Sequence, residues 1–289
     1  MSVRELRAEP VTGAVAHHGE GPCWSPSWGG LRWVDMLAGD VLSLGADGRV
    51  RRTHVADVVA CVRPRTRGGA VLAVERGIAL EDPDGAVRPV LELWQDPGVR
   101  MNEGGTGPDG CFWAGSMAYD QAEGAARLYR VRPDLTWETV LEGVTVSNGI
   151  AWSPDGSRAY YADTPTGRID VLDPAAPAAP GGRRPFVTPR LTGGDPLPDG
   201  LTVDAEGAVW VALHGAGQVH RYRADGQLDT VVHVGARQTT ACALGGDDLR
   251  TLYVTTSREG LAPGEDPAAG SLFAVRVGVP GLPVLPFPG

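Results

Sequence analysis

The chain has no lysine: all 26 basic residues are arginine, set against 35 acidic residues and a net charge of −9. Phosphate backbones need a basic surface, so nucleic acid is not an expected partner. The missing lysine is what a GC-rich coding sequence produces, and no functional cause is read into it. Cysteine is scarce too. Its four residues (Cys23, Cys61, Cys111, Cys242) are scattered, with no CxxC pair and no zinc-finger spacing, which leaves no disulfide framework to expect. They read as small buried hydrophobes. No run approaches the roughly 20 apolar residues that cross a membrane. The opening MSVRELRAEPVTG carries charge and no apolar run, unlike a signal peptide. The expectation is a cytoplasmic enzyme or binding protein with no membrane contact.

What is abundant is turn-forming residues, 41 glycines and 24 prolines. They punctuate a repeat. Six segments join a tight-turn signal to an apolar, often aromatic strand: 27–36 (SWGGLRWVDM), 67–77, 107–117, 153–164, 204–214 and 246–257. Each is followed by a second glycine turn and a partner strand, and several by a third hairpin such as ADGRV or ADGQL. The turn positions Gly30, Gly69, Gly110, Gly156, Gly207 and Asp248 are spaced by 39, 41, 46, 51 and 41 residues. That is four short strands per unit at blade spacing, an all-β six-bladed propeller formed by residues 1–289 as one domain. The 174–185 run accounts for part of the extra length, and RELRAEPV is expected to give the last blade its outer strand. The competing architecture is a β-sandwich with coincidental turns, against which six copies in one order weigh.

Aligned on their turns, the copies define a register. Counting back eight residues reaches Cys61, Asn102, Asn148, Asp199 and Thr240, and Glu20 lies ten before Gly30 in the first unit. These positions fall where each innermost strand starts beside the central channel. Acidic and amide side chains are depleted in strands and costly to bury unpaired. Two carboxylates and two carboxamides converging on one axis make an oxygen-rich pocket suited to a hard divalent cation. Asn148-Gly149 and Asp199-Gly200 taken singly would read as turn dipeptides, and Glu20 as a solvated charge. His17 and His18 read as rim residues, and His214 as structural.

The stretches RMNEGGTGPDGCFWAGSM, VSNGIAWSPDGSRAYYAD and PDGLTVDAEGAVWVA, in this order and nearly over the whole chain, resemble the SMP-30/gluconolactonase/regucalcin family. The resemblance implies the same six-bladed fold, with metal ligands at Glu20, Asn148 and Asp199. It implies substrate contacts at Arg100 and Asn102, and a further acidic contact at Asp120. Glu103 stands where the family usually has aspartate, and Gly105 where many members have lysine.

The implied chemistry is hydrolysis of a small-molecule sugar lactone to its aldonic acid. One divalent ion, calcium first and zinc, magnesium or manganese next, would polarise the carbonyl, and Asp199 is the candidate general base. No Ser-His-Asp set sits in a nucleophile elbow, so no acyl-enzyme is expected. Two alternatives remain: a metal-dependent phosphotriesterase or other esterase on this fold, and a non-catalytic calcium-binding propeller. Nothing in the sequence marks an interface, so a monomer or weak dimer is expected.

Overall fold

Strands of four to eight residues, cut by glycine turns, can bury both faces only by stacking sheet against sheet. A computed structural model describes residues 3–179, 181–191 and 196–289. In it the chain folds into six sheets, each antiparallel through its consecutive strands. Blade one comprises Gly19–Ser25, Gly30–Asp35, Asp40–Leu44 and Val50–His54. Blade two comprises Val59–Pro64, Ala70–Val74, Gly77–Glu81 and Val87–Glu92. Blade three runs through Val99–Thr106, Phe112–Ala118, Ala126–Val131 and Trp137–Val144. Blade four runs through Ser147–Trp152, Ala159–Asp163, Ile169–Leu172 and Arg183–Val187. Blade five holds Leu197–Val203, Val209–His214, Gln218–Tyr222 and Leu228–His233, and blade six Thr239–Gly245, Thr251–Thr256 and Phe273–Arg276.

The first strand of each blade touches the first strand of the next, and blade six touches blade one, which closes the ring. This is the six-bladed propeller expected from the repeat. Apolar clusters fill the joints. Trp113, Leu128, Ile150 and Tyr161 pack between blades three and four, and Tyr160, Val171, Leu201 and Val211 between blades four and five. Of the 174–185 run, Pro180 lies outside the described residues.

The N-terminal segment behaves differently from expectation. Glu9–Pro10 does supply the outer strand of blade six, pairing with Phe273 and Ala274. Arg4–Arg7 instead runs parallel to Leu228–His233 and adds a fifth strand to blade five. One short segment therefore ties two blades together at the closure.

A register shift interrupts all six innermost strands near their start. The unpaired residues are Gly21–Pro22, Ala60, Asn102, Asn148–Gly149, Asp199–Gly200 and Thr240–Ala241. A bulge re-aims side chains that a regular strand would alternate between faces. It also corrects the ring: in blade two the bulged residue is Ala60, while Cys61 stays in register with Ala73. Asn148-Gly149 and Asp199-Gly200 are not hairpin turns. A Cβ on Gly200 would lie 2.3 Å from that of Ala241, and one on Gly149 would lie 2.5 Å from the Leu201 amide. These glycines let neighbouring blades close on the axis.

Candidate functional site

At the end of the channel where the innermost strands begin, Glu20, Asn148 and Asp199 are all buried, as are Arg100 and Asn102. Their strand entries are pinned from the neighbouring strand. Asp35 accepts the backbone N–H groups of His17 and His18 ahead of Glu20, and Asp163 accepts those of Thr145 and Val146 ahead of Asn148.

The two carboxylates of the triad face each other electrostatically. Burial first, then the charges of Asp199 and Glu103, push the Glu20 carboxyl well above the usual range. Burial first, then Glu103, does the same to Asp199, against a downward pull from the Gly200 amide and the Asn148 side chain. Asp199 Oδ1 is buried with no hydrogen-bond partner among the described residues. Buried carboxylates in this state either hold protons or call for a cation.

Asn148 is oriented by chemistry alone. Its Nδ2 donates to Thr164 Oγ1 at 2.8 Å, and that hydroxyl donates its single hydrogen to the Pro198 carbonyl, also at 2.8 Å. A carbonyl cannot donate, so the hydroxyl must accept from Asn148 and the amide has one orientation. Its Oδ1 is the atom left for a cation. Glu20, Asn148 and Asp199 thus fit a hard divalent ion as an all-oxygen donor set. Among the described residues, no three His, Cys, Asp or Glu side chains gather closely enough to hold an ion by themselves, so the amide would be a required member.

Arg100 stands beside this set. Its Nη1 donates to Met36 Sδ, to the Met101 carbonyl and to Asn102 Oδ1 at 2.8–3.0 Å. Among the described residues it has no ion-pair partner, although it is only 5% exposed. Burial lowers its proton affinity, against the upward pull of Glu259, Tyr119 and Glu20. Asn102 also donates from Nδ2 to the Ser147 carbonyl at 2.9 Å, so both ends of its carboxamide are engaged. Asp120 is not drawn in: it is exposed, and its Oδ1 accepts the Ala122 N–H in a turn. The residue of that loop that meets Arg100 is Tyr119, whose ring centroid lies 5.7 Å from the guanidinium and whose hydroxyl donates to Glu75.

Burial, then the Arg100 charge, lowers His18 to about 3, and burial lowers His214, which stands near His18. His18 Nδ1 sits 2.7 Å from Ser257 Oγ. Sequence reading missed Thr164 and Tyr119 and assigned His18 and His214 no part. Thr164 closes the 153–164 repeat and Tyr119 follows the 107–117 repeat, and neither falls at the register position from which the site was read. Below the ring, Glu103 is paired with Arg63 at 3.0 Å, which opposes the upward push of burial on its carboxyl.

Residues 18–258 match the family described as SMP-30/Gluconolactonase/LRE-like region. The chain is 35% identical to a 6-deoxy-6-sulfogluconolactonase of Pseudomonas putida, covering 91% of this chain and 92% of that protein. It is 31% identical to regucalcin of Bos taurus over 98% and 99% of the two chains. The crystal structure of a calcium-binding protein, regucalcin, from Agrobacterium tumefaciens superposes with a TM-score of 0.91 at 28% identity, covering 99% of each chain.

Proposed function

The chain belongs to the SMP-30/gluconolactonase/LRE-like family, and from that premise we propose that it is a metal-dependent lactonase opening a sugar lactone to its aldonic acid. The observation that carries the reading is the pair of buried, mutually repelling carboxylates, Glu20 and Asp199, set beside the oriented Asn148 amide and the unpaired Arg100. The relative named as a 6-deoxy-6-sulfogluconolactonase supports the substrate class.

Glu20, Asn148 and Asp199 would hold one divalent ion. Calcium comes first because all donors are oxygen and a relative's structure is described as calcium-binding, with zinc, magnesium and manganese as alternatives. Bound there, the ion would polarise the lactone carbonyl and offset the charge that grows on its oxygen. Asp199, whose proton affinity is raised by burial and by Glu103, takes the proton of the attacking water. The water oxygen bonds to the acyl carbon, the ring C–O bond breaks, and the proton passes to the leaving ring oxygen as the new hydroxyl. Arg100 contacts the substrate through the guanidinium nitrogens not spent on Asn102, while Asn102 holds that guanidinium in place. An unpaired buried guanidinium makes lactones bearing an anionic group the first to try.

The test is a panel of neutral and sulfonated aldonolactones with the wild-type protein, Asn148→Ala and Asp199→Asn, each with and without chelator. Loss of hydrolysis in both variants and on chelation is the expected result. Turnover untouched by all three removes the proposal.

A further inference from the structure

The chain after blade six crosses the opposite end of the channel as a strap. Gly281 N–H donates to the Leu249 carbonyl, and the Pro280 carbonyl accepts from Ala205, which fixes the start against blades six and five. At the far end the Phe287 N–H donates to the Pro64 carbonyl and its own carbonyl accepts from Thr66. Arg65 Nε also donates to the Gly289 carbonyl. Phe287 is fully buried, edge-on to Phe112 at 6.3 Å. Between these anchors, residues 282–285 roof a cavity of about 430 Å³ against the far ends of the innermost strands.

The walls are mainly hydrocarbon, with Trp24, Ile150, Trp152, Leu244, Leu282 and Val284 among them. Glu20, Arg100, Asn102, Asn148 and Asp199 do not line the cavity, and Ile150–Trp152 lies two to four residues along the strand from Asn148, roughly 7–13 Å at strand rise; Glu103, whose charge is felt at the channel mouth, stands in the wall between the two. Three further features mark a built site. Among the described residues the lining holds one ion pair, Arg63–Glu103, self-neutralised at 3.0 Å, and one further charge, Asp155, so they offer no unmatched cation to an anionic ligand. Thr106 is 5% exposed, and among the described residues neither its Oγ1 nor the Trp152 indole N–H has a hydrogen-bond partner. Both are lining side chains, and Trp152 can only donate. Apolar walls with a few orphaned polar atoms, at this volume, are the composition of a small-molecule pocket.

We propose that this strap-roofed cavity is a second ligand site, separate from the channel mouth, for a neutral and mainly apolar small molecule carrying one hydrogen-bond acceptor. The acceptor meets the Trp152 indole or the Thr106 hydroxyl, and a ring or chain lies between Trp24, Trp152 and the strap. Neither the metal nor the lactone enters the argument.

The probe is N-phenyl-1-naphthylamine, a neutral dye that brightens in apolar surroundings, titrated into the full chain with and without chelator. The expected result is saturable binding at one dye per chain, unchanged by chelator. Ala243→Phe and Val284→Trp fill the cavity from the wall and from the strap and are expected to weaken the dye at least tenfold. Neither residue belongs to the channel mouth, and circular dichroism and thermal melts of the same samples report their folding. A crystal soaked with the dye needs no substitution: density between Trp24, Trp152 and Val284 supports the site. Unsaturable binding, equal binding by the folded filled variants, or dye located elsewhere overturns it.

Discussion

Asp199 is asked to do two things that conflict. It is buried beside Glu20 and Glu103, and its Oδ1 has no hydrogen-bond partner among the described residues, so the cation-free protein carries a carboxyl held well above its ordinary proton affinity. A carboxyl raised in the fold favours folding at low pH, and that contribution is lost as pH rises from the unfolded value of about 4 through the folded one. Asp199→Asn should therefore stabilise the cation-free protein at pH 7.5 by roughly 1–2 kcal/mol, with the gain vanishing near pH 4. Thermal melts in chelator at the two pH values check this. Hydrolysis by the same variant should fall by roughly 10²–10⁴-fold. Thr164 gives a second prediction. Thr164→Val removes the hydroxyl that orients the Asn148 amide, and should weaken divalent-ion affinity by roughly 10–100-fold in calorimetric titration. Thr164→Ser should restore it. Asn148 and Asp199 were legible as candidates because both stand eight residues before their turns, Glu20 because it stands ten before a longer one, and the family resemblance singled out these three from the register positions. Thr164 was not, because its role depends on a contact with the Pro198 carbonyl of the next blade. The engagement of both ends of Asn102 was hidden for the same reason, since one partner is the Ser147 backbone of blade four.

The strands themselves were legible from turn glycines and apolar alternation, and all six repeats correspond to second strands of blades. What spacing could not show is that the innermost strands are bulged. Counting residues treats a strand as regular, so it reached Cys61 where the single-residue bulge of blade two puts Ala60. It also left Asn-Gly and Asp-Gly open as turns, because the dipeptide is the same in both settings and only the neighbouring blade distinguishes them. Gly200→Ala tests that difference. At a hairpin turn alanine would cost little beyond φ strain. Here its Cβ meets Ala241 Cβ at 2.3 Å, so overpacking should destabilise by roughly 1–3 kcal/mol in denaturant titration. The strap has its own test: Phe287→Ala removes a fully buried ring against Phe112 and should cost roughly 3–5 kcal/mol.

At the scale of the molecule, closure and chemistry are one problem. A propeller ring leaves a channel, and its mouth carries carboxylates and amides that no hydrophobic core would retain, Asn102, Asn148 and Asp199 on bulges and Glu20 just before one. Arg4–Arg7 on blade five and Glu9–Pro10 on blade six hold the ring shut where its ends meet. The sequence predicted one closing strand but not its division between two blades, because strand pairing at a ring closure is set by which edges are vacant. Among the described residues no helix is long and apolar enough to cross a membrane. The central claim is that the channel mouth works with one cation per chain. The most direct measurement strips the protein with chelator and titrates a divalent ion back while following hydrolysis of a sugar lactone. The account predicts an inactive stripped protein and a rate that saturates at one equivalent per chain. Full activity in the stripped protein would contradict it.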